Sequence, residues 1–131
     1  MCGRFTFQPT EAFYGRFQIS NHLDSLVPRY NIAPGQMVPV IIAQSPRRIM
    51  LMRWGLIPSW AKEEAIGDKL INARAETISE KTSFRRPFHS QRCLIPADGF
   101  YEWQRRDKSF TPFRFTMKDE SMFCFAGIYE K

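Results

Sequence analysis

No run of this 131-residue chain approaches the roughly 18 consecutive apolar residues that a membrane-spanning helix needs. Its start, Met1-Cys2-Gly3-Arg4-Phe5, lacks the charged-then-apolar order of a secretory signal. Both absences predict a soluble, intracellular protein with a cytoplasmic location and no membrane partner. Cysteine is scarce: Cys2, Cys93 and Cys124 cannot all pair internally and show no C-x-x-C spacing, so neither a disulfide scaffold nor a zinc site is indicated. Reduced thiols are the expectation, with no metal and no cofactor. His22 and His89, the two histidines, lie in no metal-like or nucleophile-base spacing and read as surface or capping residues. No repeat, low-complexity tract or linker divides the chain, which predicts a single domain over residues 1–131.

What is present is apolar and aromatic material: 44% hydrophobic residues with twelve Phe, enough for a packed core. The net charge of +6 predicts attraction to polyanions without specifying one. Thr10 ahead of Glu11-Ala12-Phe13 reads as an N-cap, with Phe13 and Phe17 on one helical face. Short helices are expected near residues 9–17, 62–67 and 83–89. Runs bounded by Pro, Gly or Asp predict strands at 38–43, 49–54, 92–96, 100–104, 113–117 and 123–129. The expected fold class is α+β, a mainly antiparallel sheet or barrel with short flanking helices.

Chemistry begins at Cys2. Removal of Met1 leaves an α-amine and a thiol on one residue. The amine condenses with an aldehyde to a Schiff base, and the nearby thiol closes on that imine to a five-membered thiazolidine. Ring closure is intramolecular and so strongly favoured. An α-amino pKa of about 8 leaves a neutral fraction at physiological pH. Against this stands the plain fact that small residues commonly follow an initiator Met.

The blocks Met1-Cys2-Gly3-Arg4-Phe5, Arg29-Tyr30-Asn31-Ile32-Ala33-Pro34, Arg53-Trp54-Gly55-Leu56-Ile57-Pro58, Asn72-Ala73-Arg74-Ala75-Glu76-Thr77, Phe84-Arg85, Arg92-Cys93-Leu94-Ile95-Pro96-Ala97 and Gly99-Phe100-Tyr101-Glu102-Trp103 run in order through the chain. Together they resemble the SRAP family, the SOS response-associated peptidase or abasic-site processing proteins. The resemblance implies that mature Cys2 forms a thiazolidine with the ring-opened aldehyde of an abasic site in single-stranded DNA. It also implies self-processing to expose Cys2, and an imine through which β-elimination can cleave the strand.

Glu102, between aromatics in Phe100-Tyr101-Glu102-Trp103, shares a strand face with Phe100, while Tyr101 and Trp103 take the other. A carboxyl beside aromatic surface suits proton transfer as a sugar ring opens, and its bland alternative is a surface glutamate; the resemblance favours the acid/base role. Asn72 and Arg74 share a face if their segment is extended. Asn72 then hydrogen-bonds the sugar or the cysteine and Arg74 holds phosphate, the alternative being a turn with a surface arginine. The resemblance places Arg4 on phosphate and Asn31 beside the N-terminus. Trp54 and Trp60 offer a stacking platform for bases, although aromatics are more often core. Arg85, with Arg86, Arg105, Arg106 and Lys108, forms a phosphate rim or merely a solvated face.

The competing readings are a non-covalent single-strand binding module and an N-terminal-nucleophile cysteine peptidase. The family also places a functional histidine in a His-x-Arg-Met-Pro motif beyond Trp103, and none occurs up to Lys131. The resemblance therefore implies the N-terminal part of a longer fold. Uncovered apolar faces at 113–117 and 123–129 are expected, inviting a dimer or a complementing C-terminal segment.

Overall fold

A computed structural model describes residues 2–131 of the chain. The order is β1 (Phe5–Phe7), α1 (Glu11–Arg16), β2 (Arg29–Ile32), β3 (Met37–Ile42), β4 (Arg48–Arg53), a 3-10 segment (Glu64–Lys69), α2 (Thr82–Ser90), β5 (Arg92–Ala97), β6 (Gly99–Arg106), β7 (Ser109–Phe115) and β8 (Phe123–Ile128). Two four-stranded sheets result, ordered β2-β1-β6-β7 and β4-β3-β5-β8, with antiparallel pairing throughout. The α+β expectation of short helices around antiparallel sheet holds.

The inner faces of the two sheets make the core. Phe5, Phe7 and Ile32 from the first sheet pack with Val38, Val40, Ile49 and Cys93 from the second, all buried. Phe5 meets Phe125 edge-on at 5.9 Å, tying β1 to β8 across the layers. Phe13 and Phe17 touch at 5.6 Å, as their four-residue spacing predicts. Thr10 stands at the N-cap, but its side chain makes no capping hydrogen bond; only its carbonyl is used, accepting from Phe13 N at 2.9 Å.

Pro39 lies inside β3, which has partners on both sides. A proline gives no N–H to a ladder, so an interior strand position is costly. Here β3 pairs with β4 along its whole length, whereas its pairing with β5 involves Ile41 and Ile42, past the proline.

Six strand expectations correspond to observed strands, with shifted ends. β7 moves most: it runs over Ser109–Phe115, not 113–117, because Asp107 and Lys108 form a two-residue turn that pairs Arg106 with Ser109. Asp107 adopts φ 51°, a left-handed conformation that Asp tolerates, and no glycine marks the turn. β1 and β2 were not expected; at three and four residues they are too short for alternation to register.

The exposure expectation divides. Every residue of β7 is exposed, with Phe110 at 63% and Phe113 and Phe115 at 48%. Residues 123–129 are instead largely covered, because Phe123 and Phe125 pack on Phe100, and Tyr129 is buried.

Candidate functional site at Cys2

β1 pairs with β6 through Phe5–Phe100 and Thr6–Gly99, and the ladder extends one bond further as Tyr101 N donates to the Arg4 carbonyl at 2.9 Å. The chain ahead of β1 is thereby laid along β6, towards Glu102. Cys2 is half-buried; its thiol donates to the Arg4 carbonyl at 3.4 Å. From the opposite side, Asn72 Nδ2 donates to the Cys2 carbonyl at 2.7 Å. Residues 70 apart in sequence thus meet at one backbone group. Arg4 Nη1 donates to Asn31 Oδ1 at 3.0 Å, so the β1–β2 pairing also anchors this end.

Burial pushes the Cys2 thiol above its ordinary range; a backbone hydrogen bond at Arg4 partly offsets that, and the negative charge of Glu102 adds to it. Glu102 sits on β6 opposite Phe113, half-buried on the Phe100 side, while Tyr101 and Trp103 lie together on the other face with ring centroids 6.4 Å apart. Cys93 on β5 is buried and lines the same cleft as Cys2, Cys124 is on β8, and burial alone raises Cys93 to about 12.

Asn72 to Ala75 is not a strand; Asn72 is half-buried and Arg74 is exposed. A different residue organises this segment. Trp54 Nε1 donates to the Ile71 carbonyl at 2.8 Å, and its ring packs edge-on against Phe5 at 5.3 Å. Trp60 is 57% exposed. Arg85 is exposed on α2, whereas its neighbour Arg86 donates to Ser59 Oγ at 2.8 Å and pairs with Glu130.

The loop after Trp54 is held by close backbone approach. Gly55 has φ +127°, and a Cβ there would lie 2.4 Å from the Gly67 carbonyl oxygen. Arg53 reaches across the same contact, donating to Asp68 Oδ1 at 2.6 Å. Sequence reasoning missed this clamp and the Ile71 carbonyl, and a backbone carbonyl leaves no signal at all.

Cys2, Trp54, Asn72, Phe84 and Phe88 line one predominantly apolar cleft of about 1000 Å³. A half-buried thiol on the wall of an open cleft can meet a small electrophile without full exposure to water. Among the described residues, no group of three His, Cys, Asp or Glu side chains is arranged to hold a metal. The removal of Met1 lies outside the described residues. His22 stacks on Tyr14 at 4.3 Å and His89 is exposed in the last turn of α2.

The family model described as SOS response associated peptidase (SRAP) matches residues 1–131. The abasic site processing protein YoqW of Bacillus subtilis (strain 168) is 52% identical over 136 residues, covering 100% of this chain and 61% of the relative. The abasic site processing protein HMCES of Mus musculus is 42% identical over 95 residues, covering 63% of this chain and 27% of that protein. A crystal structure of a protein from Bacteroides thetaiotaomicron superimposes with a TM-score of 0.84 at 28% identity, covering 97% of this chain and 59% of the other. The chain spans about three-fifths of the length of its Bacillus relative.

Proposed function

The chain belongs to the SOS response associated peptidase (SRAP) family, and on that footing we propose that it captures abasic sites in single-stranded DNA covalently through Cys2. The observation that carries the reading is the seating of Cys2 on the cleft wall, with Asn72 on its carbonyl. Relatives named as abasic site processing proteins support it.

The reaction balances without a cofactor. Once Met1 is removed, the Cys2 amine adds to the aldehyde carbon of the ring-opened sugar, and the carbinolamine loses water to give an imine. The thiol sulfur then adds to the imine carbon while its proton passes to nitrogen, closing the thiazolidine. One C–N and one C–S bond form, and one water leaves. In this reading Glu102 gives and takes the protons of dehydration and ring closure. Asn72 fixes the Cys2 backbone, which limits the rotations lost on ring closure. A raised thiol pKa keeps the proton on sulfur until the imine has formed. The same imine opens a route to β-elimination, and exposing Cys2 is the peptidase step.

Arg74 and Arg85, both exposed, supply phosphate contacts along the strand, and Arg4 does so from its bond with Asn31. The uncovered face of β7 is where a further polypeptide segment, or a second copy, adds to the fold.

The test is a denaturing gel with an oligonucleotide carrying one abasic site. The mature protein leaves a denaturant-resistant adduct, and Cys2→Ser abolishes the stable form. No adduct, or an equal yield from Cys2→Ser, sinks the proposal. A merely non-covalent binder instead gives salt-sensitive binding that ignores whether the site is abasic.

A further inference from the structure

We propose that Trp54 is the positioning residue of the Cys2 site, acting through the Ile71 carbonyl to hold Asn72 on Cys2; the kinetic part of this inference rests on the capture reading above.

The segment that carries Asn72 belongs to neither sheet, so no ladder fixes it. Its tethers lie just ahead of Asn72. Leu56 N donates to the Leu70 carbonyl at 3.0 Å, and Trp54 Nε1 donates to the Ile71 carbonyl at 2.8 Å. Asn72 follows directly, and its side chain reaches the Cys2 carbonyl at 2.7 Å. A displacement of one ångström at Ile71 takes that bond beyond hydrogen-bonding range.

Trp54 is itself fixed by three other contacts. Its amide donates to the Gln36 carbonyl at 2.9 Å and its carbonyl accepts from Gly35 N at 2.8 Å. Its ring packs edge-on against Phe5, three residues along the chain from Cys2. One side chain therefore references both halves of the site, Cys2 through Phe5 and Asn72 through Ile71. An indole has a single N–H to donate, and here it is spent inside the protein. That assigns the ring to the frame and separates this role from stacking on a base.

The experiment removes only that donor. Benzothienylalanine at position 54 keeps the ring shape and replaces N–H by sulfur, and Trp54→Phe gives a second, smaller ring. Three quantities are read: the Asn72 side-chain amide signals by NMR with their exchange protection, the maximal rate of adduct formation, and the DNA concentration giving half that rate. In the benzothienyl variant the Asn72 amide signals shift and lose protection. The maximal rate falls about fivefold, the size expected for loss of one neutral hydrogen bond. Half-saturation stays unchanged, and the same replacement made in Asn72→Ala brings no further fall.

Unchanged Asn72 amide signals overturn the proposal. So does an equal fall in rate with and without Asn72, or a rise in half-saturating DNA at constant maximal rate, the mark of a stacking contact. The NMR measurement needs no aldehyde chemistry. A wild-type protein that forms no adduct therefore defeats the capture reading alone, and the amide signals still decide the role of Trp54.

Discussion

The two ends of β6 lie on one strand and have opposite surroundings. From Gly99 to Tyr101 the strand runs beside β1 as well as towards β7, is buried or half-buried, and carries the backbone against which the Cys2 end is laid. From Trp103 to Arg106 its partner is β7 alone and every residue is exposed. The difference shows what holds the Cys2 end in place: a backbone paired on both edges and backed by a core, with the hairpin arm left to contribute surface. Phe5 is where that support concentrates, being 2% exposed and touching both Trp54 and Phe125. Phe5→Ala is expected to cost about 3–5 kcal/mol, read by urea denaturation, because it removes a fully buried aromatic. An effect below about 1 kcal/mol would erase the contrast between the two ends.

A smaller loss is expected where the supported end is latched by polar groups. Thr6, 1% exposed, donates to Asp98 Oδ1 at 2.7 Å, while Arg114 Nη2 donates to Thr6 Oγ1 at 3.0 Å and to Asp98 Oδ2 at 3.3 Å. The latch joins β1 to β7 across β6. Gly99 makes room for it, since a Cβ there would lie 2.8 Å from the Arg114 guanidinium. Thr6→Val keeps the shape and leaves two charged groups short of a partner, which predicts a loss of about 1–3 kcal/mol. Chemical denaturation of Thr6→Val beside Thr6→Ser, which keeps the hydroxyl, checks that the bond and not the volume is responsible.

Much of this was legible in the sequence, for physical reasons that differ between residues. Periodicity located the long strands and the helix face of Phe13 and Phe17, because alternation and four-residue spacing are local. The pairing of β1 with β2 and β6 is non-local, and Phe5 to Phe7 is too short to announce it. Cys2, Asn72, Arg4 and Asn31 were legible as ordered blocks, and the fold brings them into two hydrogen-bonded pairs. Trp54 was read for its exposed chemistry, whereas its N–H is committed to Ile71, a backbone acceptor that no side-chain pattern encodes. The β7 boundary slipped because Asp107-Lys108 turns the chain without a glycine or proline to mark it.

The core behind the supported end of β6, on β5 of the other sheet, holds a thiol that titrates late. Burial raises Cys93 from 9.0 to about 12, so above pH 9 the unfolded chain gives up this proton while the folded protein keeps it. A group whose folded pKa is raised adds stability below its unfolded value and loses it as pH rises towards the folded one. Between pH 9 and 10 the Cys93 share of that loss is about 1 kcal/mol. Denaturation at the two pH values should therefore show a shallower fall in Cys93→Ala than in the unsubstituted protein. Equal slopes would mean that the thiol ionises as readily in the folded state as in the unfolded one.

The smallest stability effect belongs to the free arm. Phe110 is 63% exposed on β7, with the Arg105 guanidinium 5.8 Å from its ring centroid. Removing a ring that water already covers changes stability little, so Phe110→Ser is expected to stay within about 0.5 kcal/mol. Its effect should fall instead on association, since Phe110, Phe113 and Phe115 stand exposed along a strand that is an edge of its sheet. Sedimentation velocity over a concentration series is the sensitive readout: the variant should self-associate less than the unsubstituted chain at equal concentration. If Phe110→Ser destabilises the fold as strongly as Thr6→Val, the arm is part of the folding unit, and the division drawn along β6 does not exist.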